Sequence, residues 1–237
     1  MGSRRIITID GPAGAGKSTV GRRLAQALGY LYLDSGALYR AVALKAREDG
    51  LELKDSPALK EFLATFQPEV RSDSRGFHLF MDGREGTEEI RSAAASRAAS
   101  KVAVLPSVRQ WVKERLRYLA RNGGVVAEGR DQGTAVFPEA DFKFYLDAAL
   151  PTRAARRRRD WQKDGDPPAL SVIMKELAAR DRRDETRAEA PLKVPEGAII
   201  IDTTDLSIDQ VVERCLDEIG ERAERRKGGK NRSLTSA

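Results

Sequence analysis

Short apolar segments alternate with helix-length amphipathic segments along most of this chain. The apolar segments are rich in β-branched and aromatic residues and occupy positions 6–9, 31–33, 125–127, 142–146 and 198–201. They are apolar on both faces of an extended strand, which is typical of parallel strands that are joined by crossover helices and covered on both sides. The pattern therefore predicts an α/β fold in which helices cover both faces of a parallel sheet and ligands bind at the carboxyl ends of the strands.

Two of the helical segments carry clear signals. A capping box, Ser207 with Gln210, opens a helix that runs to Ile219. The other segment, residues 107–121, places these apolar residues on one face: Val108, Trp111, Val112, Leu116 and Leu119.

Two other segments interrupt the alternation. Residues 55–100 contain a strand at 77–81 that is followed by the turn residues Asp82 and Gly83, so we expect an inserted subdomain. Residues 151–168 begin as a basic helix and end in a Gly- and Pro-rich breaker at 164–168. Some of the arginines in this helix must face water, and two of the five are expected to contact phosphate: Arg153, Arg156, Arg157, Arg158 and Arg159.

Composition and charge narrow the class of protein. A chain of 237 residues, 41% apolar and 33% charged, suits one domain with a sufficient core. The single cysteine, Cys215, lies in a helical apolar stripe and is expected to be a buried hydrophobe. No apolar run approaches the length of a membrane span, so we expect a soluble, cytosolic chain.

Most of the net charge of +6 belongs to residues 221–237, which carry six Lys or Arg against two Glu. This segment is expected to be a disordered tail, which weakens a nucleic-acid-binding interpretation of the folded part.

A phosphate-binding loop lies at residues 11–19, between the first strand and an amphipathic helix. It fits the pattern G-x-x-x-x-G-K-[ST], in which backbone N–H groups surround phosphate oxygens, the lysine contacts the β and γ phosphates and the Ser ligates Mg²⁺. The predicted ATP-binding residues in the loop are Gly11, Pro12, Ala13, Gly14, Ala15, Gly16, Lys17, Ser18 and Thr19. No N-K-x-D motif follows, because the two asparagines are Asn122 and Asn231, so a guanine-reading switch is excluded and a small-molecule kinase is favoured.

Arginines are the expected phosphate ligands, because their planar forks bind phosphate oxygens bidentately. Arg40 and Arg130 each follow a predicted strand end, although pairing with Asp34 or Asp131 on the surface is the alternative. Arg109 lies on the helix 107–121. Residues 180–187 mix four arginines with three acids, so that segment also fits a helix face covered by ion pairs. The only histidine, His78, is expected to face solvent, and with one Cys and one His no zinc site can form.

Four strings of residues resemble the bacterial cytidylate kinases. They are Ile7-Thr8-Ile9-Asp10-Gly11-Pro12, Leu33-Asp34-Ser35-Gly36-Ala37-Leu38-Tyr39-Arg40, Glu128-Gly129-Arg130-Asp131-Gln132-Gly133-Thr134-Ala135-Val136-Phe137-Pro138, and Arg180-Asp181-x-x-Asp184-x-x-Arg187-Ala188-x-Ala190-Pro191-Leu192. The resemblance covers about residues 5–220. Gln132 is a departure, because the family more often has an apolar residue such as Met there.

The resemblance implies the P-loop nucleoside monophosphate kinase fold, an α/β fold with a five-stranded parallel sheet, a nucleotide-monophosphate-binding insert and a mobile lid. Within one kinase domain of residues 1–237, the core would be 4–54, 101–150 and 171–220, the insert 55–100, the lid 151–170 and the basic tail 221–237. The implied CMP-binding residues are Ser35, Arg40, Ser100, Arg109, Arg130, Asp131, Arg180, Asp184 and Arg187. The implied catalytic residues are Lys17, Arg40, Arg130 and Asp131, with Arg156 added to the ATP site and Ser18 as the Mg²⁺ ligand.

The expected function is therefore transfer of the γ-phosphoryl group of ATP to CMP or dCMP, with Mg²⁺, by a monomer that binds neither nucleic acid nor membrane. Arginines can read the N3 and O2 acceptors of cytosine while a carboxylate takes the N4 amine, and uracil reverses two of these groups. The alternatives are another acceptor, such as UMP, a deoxynucleotide or shikimate, and a nucleotide-dependent regulatory or RNA-binding protein supported by the basic tail.

Overall fold

The computed structural model describes residues 4–73, 76–162 and 167–232. Its main sheet contains five strands: β1 (Ile6–Asp10), β2 (Leu31–Asp34), β6 (Val125–Glu128), β7 (Phe142–Asp147) and β8 (Ile199–Asp202). They lie in the order β2-β6-β1-β7-β8, and every neighbouring pair is parallel. All five predicted strands and the α/β fold class are confirmed.

Eight α-helices connect and flank the strands in the described part of the chain. They are α1 (Lys17–Leu28), α2 (Ser35–Glu48), α3 (Pro57–Thr65), α4 (Ala93–Val102), α5 (Pro106–Leu119), α6 (Leu150–Trp161), α7 (Leu170–Thr186) and α8 (Ile208–Arg232). Every residue of β6 is buried, and so are four of the five in β1. Because successive side chains in a strand point to opposite faces, this burial means that helices cover both faces of the sheet centre.

The parallel sheet brings the carboxyl ends of β1, β2 and β6 to one edge, followed by residues 11–17, 35–40 and 129–136. The β1 register pairs Ile9 with Glu128, and the β2 register pairs Asp34 with the same glutamate. The last residues of three strands, Asp10, Asp34 and Glu128, therefore lie side by side under the phosphate-binding loop. This alignment brings together at one edge the segments for which the sequence predicts a ligand site.

The segment between α3 and α4 forms a separate antiparallel sheet of β3 (Glu69–Asp73), β4 (Gly76–Met81) and β5 (Arg84–Glu85). The predicted strand at 77–81 is confirmed, and both turn residues after it, Asp82 and Gly83, have positive φ. Phe77 packs edge-on against Tyr32 of β2, with ring centroids 5.8 Å apart. This contact joins the small sheet to the core. The division of the chain into core, insert and lid stays a prediction.

The segment 151–170, which the sequence assigns to the lid, contains most of α6 and ends at the first residue of α7. Residues 163–166, which include most of the predicted breaker, lie outside the described residues. The two helices pack on the phosphate-binding loop through a small apolar cluster of Ala13, Ala154, Ile173 and Leu177. Mobility of this segment remains a prediction.

The carboxyl-terminal helix begins at the predicted capping box. Ser207 N donates to Gln210 Oε1 at 2.9 Å, and Gln210 N donates to Ser207 Oγ at 3.2 Å. Cys215 is fully buried, as predicted, and burial raises the pKa of its thiol to about 12. The predicted end at Ile219 and the disordered tail from 221 differ from the structure, in which helical backbone continues to Arg232. Residues 221–227 are Glu, Arg, Ala and Lys, all strong helix formers, so they extend a helix that buried residues have already nucleated.

No helix in residues 4–73, 76–162 and 167–232 is both long and apolar enough to cross a membrane.

Candidate active site

The phosphate-binding loop joins β1 to α1 and depends on glycine at three positions. Gly11, Gly14 and Gly16 all have φ between +82° and +142°, a region that only glycine adopts readily. At Gly11 a Cβ would also lie 1.9 Å from the Leu146 carbonyl oxygen. The loop therefore folds tightly enough to turn its backbone N–H groups inward at the start of α1, which is an anion-binding arrangement.

Lys17 lies in the first turn of α1, almost fully buried, with its ammonium donating to the Pro12 carbonyl at 2.7 Å. Burial and the nearby Arg130 lower the pKa of Lys17 to about 7, against the opposing effect of Glu128. An ammonium that is desolvated and held among other cations binds an incoming anion strongly, because each phosphate charge restores the balance. The side chain is thus suited to contact the phosphates of a bound nucleotide.

Two possible oxygen ligands for a divalent cation, Ser18 Oγ and Glu128 Oε1, lie beside this lysine. Ser18 Oγ donates to Glu128 Oε1 at 3.1 Å, and the Tyr32 hydroxyl donates to the same oxygen at 3.3 Å. Burial, then Asp34, raises the pKa of Glu128 to about 7. Hard oxygen ligands fit Mg²⁺, which takes one or two protein ligands and completes its shell with phosphate and water. The residues present therefore fit this ion.

Beyond the loop, four arginines converge on one region: Arg40, Arg130, Arg157 and Arg180. Burial and the positive charges of its neighbours, Arg130 foremost, lower the pKa of Arg180 to about 10. Arg40 Nη2 is paired with Asp34 Oδ2 at 2.8 Å, and Arg130 Nε with Asp184 Oδ2 at 3.0 Å. Among the described residues these are the ion pairs of only two of the four guanidinium groups, so the region has cationic groups left to bind a cluster of phosphates.

On the far side of Arg130, Asp131 forms a buried group with two further arginines. Its Oδ2 is paired with Arg109 of α5 and lies 3.4 Å from Arg187 Nη2 at the end of α7. The side chains of all three are more than nine-tenths buried. The Arg109 Nε has no hydrogen-bond partner among the described residues, and neither has the Arg40 Nε. The unpaired Arg109 N–H beside the fixed Asp131 carboxylate gives a site that can both donate to and accept from a heterocyclic base.

Asp10 connects the phosphate-binding loop to the loop that carries Arg130 and Asp131. It is fully buried, and its two carboxylate oxygens accept from Gln132 N at 2.8 Å and Gly133 N at 2.7 Å. Burial raises the pKa of Asp10 to about 6, although both N–H groups favour its charged form. One side chain therefore anchors the loop after β6 to the residue that precedes Gly11.

The raised pKa of Asp10 predicts a pH dependence of stability. A carboxyl whose pKa is higher in the folded state stabilises the fold below the unfolded value, near 4, and this contribution is lost as the pH rises to about 6. We expect the difference in free energy of unfolding between Asp10→Asn and wild type to shift by up to about 3 kcal/mol in favour of the variant between pH 4 and 7. Chemical denaturation of both proteins across this range measures the shift.

A matched control for this experiment is Asp202→Asn. The Asp202 pKa is lowered by hydrogen bonds from the Thr204 hydroxyl and backbone N–H. Its stabilising contribution is therefore present above the unfolded value near 4, and its difference from wild type should stay nearly constant between pH 4 and 7. A shift of the same sign and size for both variants would contradict the assignment to Asp10.

Comparison with known proteins identifies the family. Residues 7–221 match the family model for cytidylate kinase. The chain is 46% identical over 220 residues to a cytidylate kinase of Pelotomaculum thermopropionicum, an alignment that covers 92% of this chain and 97% of that one. It is 45% identical over 216 residues to a cytidylate kinase of Pseudomonas syringae pv. tomato, covering 90% and 94%. The chain belongs to the cytidylate kinase family.

A solved structure of an uncharacterized protein from Eubacterium ventriosum matches this fold with a TM-score of 0.50 at 12% identity, covering 92% of this chain and 99% of that chain. That likeness concerns the fold alone. Membership of the cytidylate kinase family makes this chain a phosphotransferase with the nucleoside monophosphate kinase fold, in agreement with its sheet order.

The structure brings together most of the residues that the resemblance implies. Arg40 forms the ion pair with Asp34 that the sequence allowed as an alternative, while keeping one N–H unpaired. Arg130 pairs with Asp184 rather than with its neighbour Asp131. Arg187 donates to the Ala190 carbonyl as well as facing Asp131. Ser35 lies close to Gly129, whose Cβ position would be 2.5 Å from the Ser35 hydroxyl.

Ser100 and several arginines of α6 make contacts outside the arginine cluster and the Asp131 group. The Ser100 hydroxyl donates to the Ser96 carbonyl within α4, and the described hydrogen bonds do not link it to the Asp131 group. Arg153 is buried in an ion pair with Asp181 and donates to the Ala13 carbonyl, so it supports the loop from behind. Arg156 donates to Thr203, and Arg157 lies near Arg40, so that burial and this like charge both lower the pKa of Arg157. Arg158 and Arg159 are exposed, so Arg156 and Arg157 are the candidates for the two expected phosphate contacts, which stay a prediction.

The sequence-based site omitted Asp10, Glu128 and Tyr39. Glu128 and Asp10 end two neighbouring strands directly beneath the phosphate-binding loop, and that position was a usable signal for both. Tyr39 lines a cavity of about 40 Å³ together with Arg109 and Asp131. Burial raises the pKa of its hydroxyl further above the usual range. No sequence signal distinguished this tyrosine from the apolar core residues of the same helix.

Proposed function

We propose that this chain transfers the γ-phosphoryl group of ATP to CMP or dCMP, giving CDP or dCDP and ADP. The observation that carries the proposal is the Asp131 group: a buried carboxylate fixed between two arginines, one of which has an unpaired N–H. A carboxylate accepts from the N4 amine of cytosine, and arginines donate to N3 and O2. Membership of the cytidylate kinase family supports the same acceptor.

The donor half of the reaction belongs to the phosphate-binding loop. Residues 11–19 hold the triphosphate, with Lys17 at its β and γ phosphates. Mg²⁺, held by Ser18 with Glu128 beside it, would neutralise phosphate charge when bound. From α6, Arg156 donates to Thr203, whose hydroxyl also contacts the Ala15 carbonyl of the loop, so Arg156 lies beside the proposed donor site.

The acceptor half belongs to the arginine cluster. In the proposed complex Arg40 and Arg130 hold the acceptor phosphate, Arg180 and Asp184 face the pentose, and Ser35, Arg109, Asp131 and Arg187 face the base, with Ser100 nearby. The acceptor oxygen is already anionic, so in-line attack needs positioning and charge neutralisation rather than a general base. Closure of a lid at 151–170 would exclude water, which otherwise competes for the phosphoryl group.

A coupled assay of ADP release tests the function. With Mg-ATP we expect turnover with CMP and dCMP far above that with UMP, AMP, GMP and dTMP, because a buried site built for cytosine leaves polar groups unpaired with the other bases. Lys17→Ala serves as the blank. If no monophosphate accelerates ADP release, the proposed acceptor site is wrong and only triphosphate binding remains.

The same assay decides the alternative of a regulatory or RNA-binding protein, which rests on the basic tail. Because every proposed site residue precedes position 188, a protein truncated after Glu221 should keep its acceptor-dependent turnover. One chain supplies the whole set, so we propose that the monomer is the working unit, which light scattering checks. A truncated protein that loses turnover while remaining folded would restore the alternative.

A further inference from the structure

Gln132 has a buried amide oxygen that no group in the described part of the chain satisfies. The residue is 1% exposed, and its Nε2 donates to Asp131 Oδ1 at 3.3 Å, whereas Oε1 has no hydrogen-bond partner. Because the Asp131 carboxylate can only accept, the NH₂ group must face it, which fixes the orientation of the amide. The oxygen is therefore the unpaired atom.

An unpaired buried acceptor lowers the stability of the fold. Its position can therefore indicate where a ligand donates a hydrogen bond. Gln132 lines the same cavity as Asp131, Arg109 and Tyr39. On its other side, a Cβ on Gly129 would lie 2.6 Å from Gln132 Nε2 and 2.5 Å from Ser35 Oγ. The amide nitrogen thus lies near both Ser35 and Asp131, two residues that the proposed function assigns to the base.

The backbone of Gln132 is held as firmly as that of its neighbours, since its N–H donates to Asp10. The side chain is also held, by Asp131. Because the backbone and the side chain of Gln132 are both held, its Oε1 loses little conformational entropy when it accepts a hydrogen bond from a ligand. The same oxygen disfavours a ligand that presents a lone pair instead of a donor.

We propose that Gln132 is a specificity-determining residue, whose Oε1 accepts one N4 proton of cytosine while Asp131 accepts the other. This inference rests on the proposed function, since it needs a cytidine nucleotide in the acceptor site. The exocyclic amine of cytosine has two protons, and the pair Asp131 and Gln132 offers two acceptors. Uracil presents a carbonyl oxygen at that position, so each acceptor would face a lone pair.

The substitution Gln132→Met tests the proposal, because methionine has nearly the same shape and no acceptor of comparable strength. We expect the ratio of kcat/KM for CMP to that for UMP to fall about tenfold, the effect of one hydrogen bond, with KM for ATP unchanged. Thr134→Val is the matched control: Thr134 also has an unpaired buried hydroxyl in the turn 132–136, but it does not line the cavity. An unchanged ratio in Gln132→Met, or an equal fall in Thr134→Val, would overturn the proposal.

A substrate probe makes the test independent of folding of the variant. N4-methyl-CMP lacks one amine proton, so wild type should use it about tenfold less well than CMP, and Gln132→Met should show a smaller penalty. Equal use of the two substrates by wild type would mean that only one proton is read, and this result overturns the role of Gln132 alone. A wild type that uses no cytidine nucleotide would instead overturn the proposed function and this inference with it.

Discussion

Replacing Lys17 with methionine is expected to lower kcat for CMP phosphorylation by about 10³-fold and, in the same protein, to raise the free energy of unfolding. The activity falls because the cation at the donor phosphates is lost. Stability rises because the ammonium is buried, and removing it ends the cost of desolvation that holds its pKa near 7. Glu128, with its pKa near 7, can take up a proton and so remain without its cation.

The size of the stability gain depends on pH. Wild type is penalised most below pH 7, where Lys17 is charged in the fold, and the penalty disappears as the pH approaches the ordinary lysine value. We therefore expect a gain of about 1–4 kcal/mol at pH 7 that decreases toward pH 10, measured by denaturant unfolding. The control is Lys45→Met, since Lys45 pairs with Asp49 and Asp82 at the surface. A folded Lys17→Met protein that keeps its turnover would contradict the assigned role.

Replacing Asp131 with asparagine is expected to have the second large effect, on the choice of base. The variant loses the acceptor for the cytosine amine, while the asparagine NH₂ can donate to O4 of uracil. We expect kcat/KM for CMP to fall by about 10²–10³-fold and the preference for CMP over UMP to be lost. The variant should also lose about 3–5 kcal/mol of stability, because Arg109 and Arg187 remain buried without their counter-charge.

The variant Asp181→Asn separates the change in base preference from the loss of stability. Asp181 is equally buried and paired with one arginine, Arg153, but it supports the phosphate-binding loop rather than the base site. This variant should lose a comparable amount of stability and keep the ratio of CMP to UMP use, in a coupled assay with both substrates. If Asp181→Asn changes the ratio as much as Asp131→Asn, the Asp131 carboxylate does not read the base.

The parts of the site that local sequence determines were predictable. The loop 11–19 lies between a strand and a helix, and its glycines, lysine and serine are adjacent in the chain. Arg40 and Arg130 follow strand ends, and in a parallel sheet all such ends meet at one edge. The five strands were equally legible, because each is a short run that is apolar on both faces.

Pairings between distant residues were not predictable in the same way. Arg130 has an aspartate beside it in sequence, yet its partner is Asp184, 54 residues away. Which arginines of α6 face the loop depends on the rotation of that helix about its axis, and packing of Ala154 against Ala13 sets that rotation. The tail was predicted from charge and glycine content, but helix propagation depends on what precedes a segment as well as on its own composition.

The two hydrogen bonds that Asp10 accepts from Gln132 N and Gly133 N have a consequence for how such an enzyme can move. They make the floor of the donor pocket and the floor of the acceptor pocket parts of one rigid frame, since Gly133 and Gly11 are both fixed to the same strand end. If the small antiparallel sheet or the predicted lid moves, it therefore moves relative to this fixed frame. Such motion can open and close access to the two phosphates without altering the line along which they meet.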